Sequence, residues 1–88
     1  MQNMHTVNYG GGNGYTPENA VIIGGVTFDY EGVDAEYQYL RRKFPGHRVL
    51  VQKIYSEDGH FFDVLTIRTI KGDEETLYFD ISAFYNRY

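Results

Sequence analysis

The chain has no cysteine, no tryptophan and only two prolines in 88 residues. Without cysteine there is no disulfide framework, no thiol nucleophile and no thiolate zinc site. No stretch approaches ~18 consecutive apolar residues, which excludes a membrane-spanning helix. The opening MQNMHTVNYGGG lacks a basic segment leading into an apolar one, so no signal peptide is expected and a cytoplasmic location is. Positive charge is also scarce. Eight Lys and Arg against twelve Asp and Glu leave a net charge of −4, which argues against a nucleic-acid backbone as partner. The glycine-rich run from Gly10 to Gly14 does not supply a phosphate loop. It lacks the Lys and the following hydroxyl that such a loop needs, and no strand pattern precedes it. No cofactor is expected.

What the chain does have is aromatic rings: nine Tyr and six Phe, 17 % of the sequence. A single domain of this length cannot surround so many rings completely. Tyr tolerates half-burial, with an apolar body and a polar tip. The rings therefore point to a half-buried sheet surface or to contact with a partner.

Residues 1–17 read as a flexible Gly-rich N-terminal tail, because glycine loses much backbone entropy on ordering and no periodic apolar pattern offsets it. Residues 18–88 form a single domain. Ala20 to Tyr30 alternates cleanly enough for one long strand, with Gly24-Gly25 marking a bulge or a close backbone approach. Gly32 to Phe44 is a helix, since Val33, Tyr37, Leu40 and Phe44 make one stripe. Asp34 and Glu36 in its first turn and Arg41, Arg42 and Lys43 in its last suit the helix dipole, and Pro45-Gly46 ends it.

Three strands follow, His47–Ser56, His60–Ile70 and Glu75–Ser82. The first two are joined at Asp58-Gly59, the strongest short hairpin signal. The fold expected is α+β: β-α-β-β-β, a mostly antiparallel sheet with one helix packed on one face. The run from Tyr37 through Phe44-Pro45-Gly46 to Asp80 resembles the PepSY-like helix-plus-meander modules, on its helix stop and spaced turns. That resemblance carries over no functional residue.

A two-residue turn at Asp58-Gly59 sets the hairpin register. Tyr55 then faces Phe62, Lys53 faces Val64, Val51 faces Thr66 and Val49 faces Arg68. Leu50, Gln52, Leu65, Ile67, Leu77, Phe79 and Ile81 take the helix side. The other side carries Val49, Val51, Lys53, Tyr55, Phe62, Val64, Arg68 and Tyr78. That is greasier than a face left to water, and contiguous apolar patches of more than a few hundred Å² mark interaction sites. A homo-oligomer, with a dimer favoured, or a protein partner is the expected occupant.

No catalytic residue and no metal site are assigned. Ser56 and Ser82 stand outside any nucleophile motif. His47 and His60 fall at opposite ends of their strands, roughly 25–30 Å apart at ~3.3 Å per residue, so they form no dyad. Glu57, Asp58, His60 and Asp63 cluster at one turn but match no calcium-loop spacing. The sequence thus points to a small non-catalytic binding or assembly module. The alternative is a small-ligand-binding or enzyme-inhibitor protein, with a ligand approaching Gly24, Gly25, Tyr30, Tyr37 and Tyr39. A third reading is an enzyme using His47 or His60.

Overall fold

The computed structural model describes residues 7–26 and 29–85. Strands β1 (Asn8–Gly11) and β2 (Val21–Gly24) come first, with a 3₁₀ turn at Pro17–Asn19 between them. Helix α1 (Asp29–Lys43) and strands β3 (Arg48–Glu57), β4 (His60–Arg68) and β5 (Glu74–Asp80) follow. The sheet order is β1-β2-β5-β4-β3. All neighbours are antiparallel except β2 and β5, which run parallel. The fold is α+β, with one helix on a mostly antiparallel sheet.

The β3–β4 hairpin forms as its turn chemistry dictates. Asp58 and Gly59 have φ of 54° and 79°, the paired left-handed residues whose twist matches that of the flanking strands. Glu57 pairs with His60, Tyr55 with Phe62, Lys53 with Val64 and Val51 with Thr66. The register then shifts between Val49 and Val51, with Val49 opposite Ile67 and Arg48 opposite Arg68. Leu50 is the extra residue, and a bulge moves everything beyond it to the other side. Val49, expected opposite Arg68, therefore shares the helix side with Ile67. The second turn spans residues 69–73 and is closed by Thr69, whose carbonyl and hydroxyl accept from Gly72 N and Asp73 N. Leu77 accordingly pairs with Leu65 and Phe79 with Asp63.

The helix side holds the main core: Val21, Ile23, Ala35, Leu40, Leu65, Ile67, Leu77, Phe79, Ile81 and Phe84. Gly32 lets the first turns of α1 approach the C-terminal segment, because a Cβ there would lie 2.2 Å from Phe84 Cζ. The segment after β5 forms a turn, with Ile81 O accepting from Phe84 N and Tyr85 N. Its Tyr85 ring stacks on Phe61 at 4.7 Å.

Three further expectations are corrected. The stretch assigned to a flexible tail contains β1, which pairs along its length with β2. Tyr9 anchors that strand by donating to Ala35 O at 2.8 Å and packing on Tyr39 at 5.4 Å. Long-range contacts here outweigh the poor strand propensity of glycine. The long strand from Ala20 ends at Gly24, since Gly25 takes φ 74°. Residues 27 and 28 lie outside the described set. Tyr30 belongs to α1, which begins three residues before the expected Gly32.

The third correction concerns the side away from the helix. Phe62 and Val64 are only 5 % and 3 % exposed, packed with Ala20 and flanked by Tyr78. The connection from β1 to β2 reaches over this side, capped at Thr16, whose hydroxyl accepts from Asn19 N, and started by Pro17. Gly14 O accepts from Tyr78 N at 2.7 Å, tying the connection to β5. A charge placed at Phe62 or Val64 would have to be buried, so it would unfold the chain rather than part it from a partner.

Candidate functional site

Two features stand out, and both involve β3. The first is its edge. All ten residues of β3 are exposed, whereas an edge strand ordinarily buries one face. Val49, Leu50, Val51, Ile54 and Tyr55 are 38–51 % exposed. Such a strand offers a row of unpaired backbone donors and acceptors beside apolar side chains, a ready template for another strand. Lys53 and the Leu50 bulge are the features that blunt the edge.

Of the expected contact residues, Val51, Lys53, Tyr55, Phe62, Val64 and Tyr78 do share the side away from the helix through their cross-strand pairs. Tyr55 and Tyr78 rings close over Phe62, at 5.9 and 6.3 Å. Arg68 lies on the same side and is paired with Glu74 at 3.0 Å. What remains open is therefore the β3 margin rather than the whole face.

The second feature lies on the helix side, between α1, β3 and β4. Glu36 comes from α1 and is 1 % exposed; Asp63 comes from β4 and is 3 % exposed. Gln52 of β3 donates to Asp63 Oδ2 at 2.9 Å and accepts from the Tyr37 hydroxyl at 3.0 Å. Neither Glu36 oxygen, nor Asp63 Oδ1, meets a donor among the described residues. Two bare carboxylates in such a place are costly. The resolution is a proton: burial first, then a hydrogen bond to Asp63 and the charge of Asp63, push the Glu36 carboxyl from 4.5 up to about 10. A neutral Glu36 becomes the donor and Asp63 the acceptor.

This pair lies against a cavity of about 290 Å³, lined also by Tyr30, Val33, Ile54, Ile81, Phe84 and Tyr85. That volume is at the lower end of small-molecule sites, and apolar walls with a few convergent polar groups are their usual character. Of the expected ligand-side residues Tyr30 lines this cavity; Tyr37 does not, and its hydroxyl donates to Gln52 instead. Tyr39 points elsewhere, edge-on to Phe79 at 5.5 Å and beneath Lys43 Nζ at 5.8 Å. Gly24 lies against the Asn8 side chain at the end of β2, and neither Gly24 nor Gly25 lines this cavity.

The turn cluster separates. Asp63 faces the helix, while Glu57, Asp58 and His60 border an open cleft of about 460 Å³ that Glu18 and Asp80 also line. There His60 Nδ1 sits 3.3 Å from Asp80 Oδ2. His47 Nδ1 is 2.9 Å from Phe44 O, at the end of the helix. Among the described residues no three His, Cys, Asp or Glu side chains gather as metal ligands, and no helix is long and apolar enough to cross a membrane. Two of the basic residues at the end of α1 lie over rings, Lys43 over Tyr39 and the Arg42 guanidinium 5.8 Å from the centre of Tyr9.

Sequence reasoning did not single out Glu36, Gln52 and Asp63 as a group. Two signals were present. Glu36 follows Val33 by three and precedes Leu40 by four, so it interrupts the apolar stripe. Asp63 shares strand parity with Leu65 and Ile67 and so faces the core. No protein-family model matches the chain, and no curated protein or solved structure matches it, so nothing in the comparisons supports the PepSY-like resemblance.

Proposed function

We propose that the chain is a non-catalytic assembly module that pairs with a second copy of itself along the β3 edge. The observation that carries this reading is that β3 is ten residues long and exposed throughout. A strand meeting its own copy antiparallel generates a closed two-fold contact, the commonest symmetry of oligomers. Because that axis runs perpendicular to the sheet, the two sheets become one and both helices lie on the same side. The edge is also self-complementary in charge. Lys53 and Glu57 flank Tyr55 on one side of β3. With Tyr55 at the axis, residues 53–57 of the two strands overlap, Lys53 stands opposite Glu57 of the partner subunit, and the same pair recurs by symmetry. Opposite charges directly across a strand pair are favourable and like charges unfavourable.

Light scattering coupled to size exclusion tests the reading. The unmutated chain is expected at twice its 10.2 kDa mass. Lys53→Glu sets acid against acid and is expected to shift the population to monomer, while the double exchange K53E/E57K restores the dimer. All these positions are exposed, so folding is unaffected. A monomer at every concentration of the unmutated chain overturns self-association. A dimer indifferent to K53E overturns the β3 register.

A further inference from the structure

The cavity at Glu36 and Asp63 is independent of that assembly reading and asks for its own occupant. We infer that it is a binding site for a small organic cation, with an ammonium head between the Glu36 and Asp63 carboxyl groups and an apolar body against the surrounding rings. Three observations converge. Glu36 is all but fully buried and lines the cavity, yet neither of its oxygens has a partner as a carboxylate. Among the described residues the cavity lining contains no Lys, Arg or His to balance the acids. The walls offer Tyr30, Phe84 and Tyr85, and aromatic faces attract ammonium groups.

The chemistry discriminates against other ligands. An anion would meet two acids. A calcium ion needs ~6–8 oxygen ligands, carboxylates foremost, and among the described residues no three His, Cys, Asp or Glu side chains gather to hold one. A neutral apolar molecule would leave the protonated Glu36–Asp63 pair as it is and gain nothing from its charge. An ammonium supplies three donors and a full charge. Its entry also removes the reason for Glu36 to hold a proton, so that proton leaves to solvent as the cation arrives. The groups facing Glu36 across the cavity are Asp63 and Gln52 from the sheet, Tyr30 from its own helix and Tyr85 from the C-terminal turn. Asp63 opposes the release of the proton until the cation is in place. The binding constant therefore rises with pH, by about tenfold per unit while one proton is exchanged.

An ammonium group could belong to a free amine or to a lysine side chain of another protein. Calorimetry on the full chain near neutral pH distinguishes them, using n-butylammonium, N-acetyl-lysine methylamide and the neutral n-pentanol as probes. Saturable binding of n-butylammonium is expected, with about one proton released per cation, read from the heats in two buffers of different protonation enthalpy. Glu36→Gln and Asp63→Asn are each expected to weaken it by about tenfold or more, the scale of a lost charge-assisted hydrogen bond. Binding of the lysine derivative without the free amine would assign the site to a protein partner's lysine. The inference is overturned if neither cation binds saturably, if n-pentanol binds as well as n-butylammonium, or if no proton is released. The proton count uses the unmutated chain, so it decides the matter even if a variant fails to fold.

Discussion

Replacing Glu36 by Gln changes one titratable group and little else, and its effect on stability follows from the structure. Burial holds the folded carboxyl near 10, against 4.5 for an ordinary Glu side chain. Below about pH 4.5 both folded and unfolded chains carry the proton, so the group costs nothing. As pH rises the unfolded chain releases the proton and the folded chain does not. Stability then falls by ~1.4 kcal/mol per pH unit until the folded value is passed. At about pH 7 the accumulated loss is roughly 3 kcal/mol, a large share of the ~5–15 kcal/mol typical of whole domains. Glu36→Gln keeps the shape, stays neutral and has an amide N–H to donate to Asp63. Urea unfolding followed by circular dichroism, at one protein concentration so that any association is held fixed, measures the difference. The variant is expected to gain ~1 kcal/mol at about pH 5 and ~3 kcal/mol at about pH 7. A gain that does not grow with pH, or a variant less stable than the parent, would refute the reasoning that Glu36 is held as a neutral acid.

Two further outcomes test the packing around this site. Gly32→Ala forces a methyl group to 2.2 Å from Phe84 Cζ, so the ring must leave its seat. A loss of ~1–3 kcal/mol is expected in the same unfolding assay, and an unchanged midpoint would mean that Phe84 does not pack there. Tyr9→Phe removes the hydrogen bond to Ala35 O and is expected to cost about 1 kcal/mol. Faster amide exchange along β1 would accompany it, and unaltered exchange would show that the strand is held by its backbone pairing alone.

The hairpin was legible in the sequence because Asp58-Gly59 leaves few alternatives: two left-handed residues in a row fit one turn, and the turn sets parity for both strands. From there Leu65, Ile67, Leu77 and Phe79 fell on the helix side without further information. The Leu50 bulge was not legible, since nothing in VLVQ distinguishes a regular strand from one with an extra residue. The start of α1 was obscured because Val26, Phe28 and Tyr30 also alternate as a strand would. Strand β1 was hidden for a different reason. Gly10 and Gly11 argue against a strand locally, and what holds it is pairing with β2 and the reach of Tyr9 to the helix. The carboxyl pair needed both halves of the pattern at once, an acid within a helical stripe and an acid on the core-facing parity of a strand. Each alone reads as an ordinary solvated residue.

The two margins of the sheet are unequal, and that inequality bears on growth. At one end lies β3, long and open; at the other lies β1, four residues of Asn-Tyr-Gly-Gly. A sheet with two good ends can polymerise without limit, each newcomer presenting a fresh end. One good end and one stub give each chain a valence of one. On the proposed pairing, joining a second copy at β3 would consume the strong end of both, so addition would terminate at a pair rather than run on into a fibre.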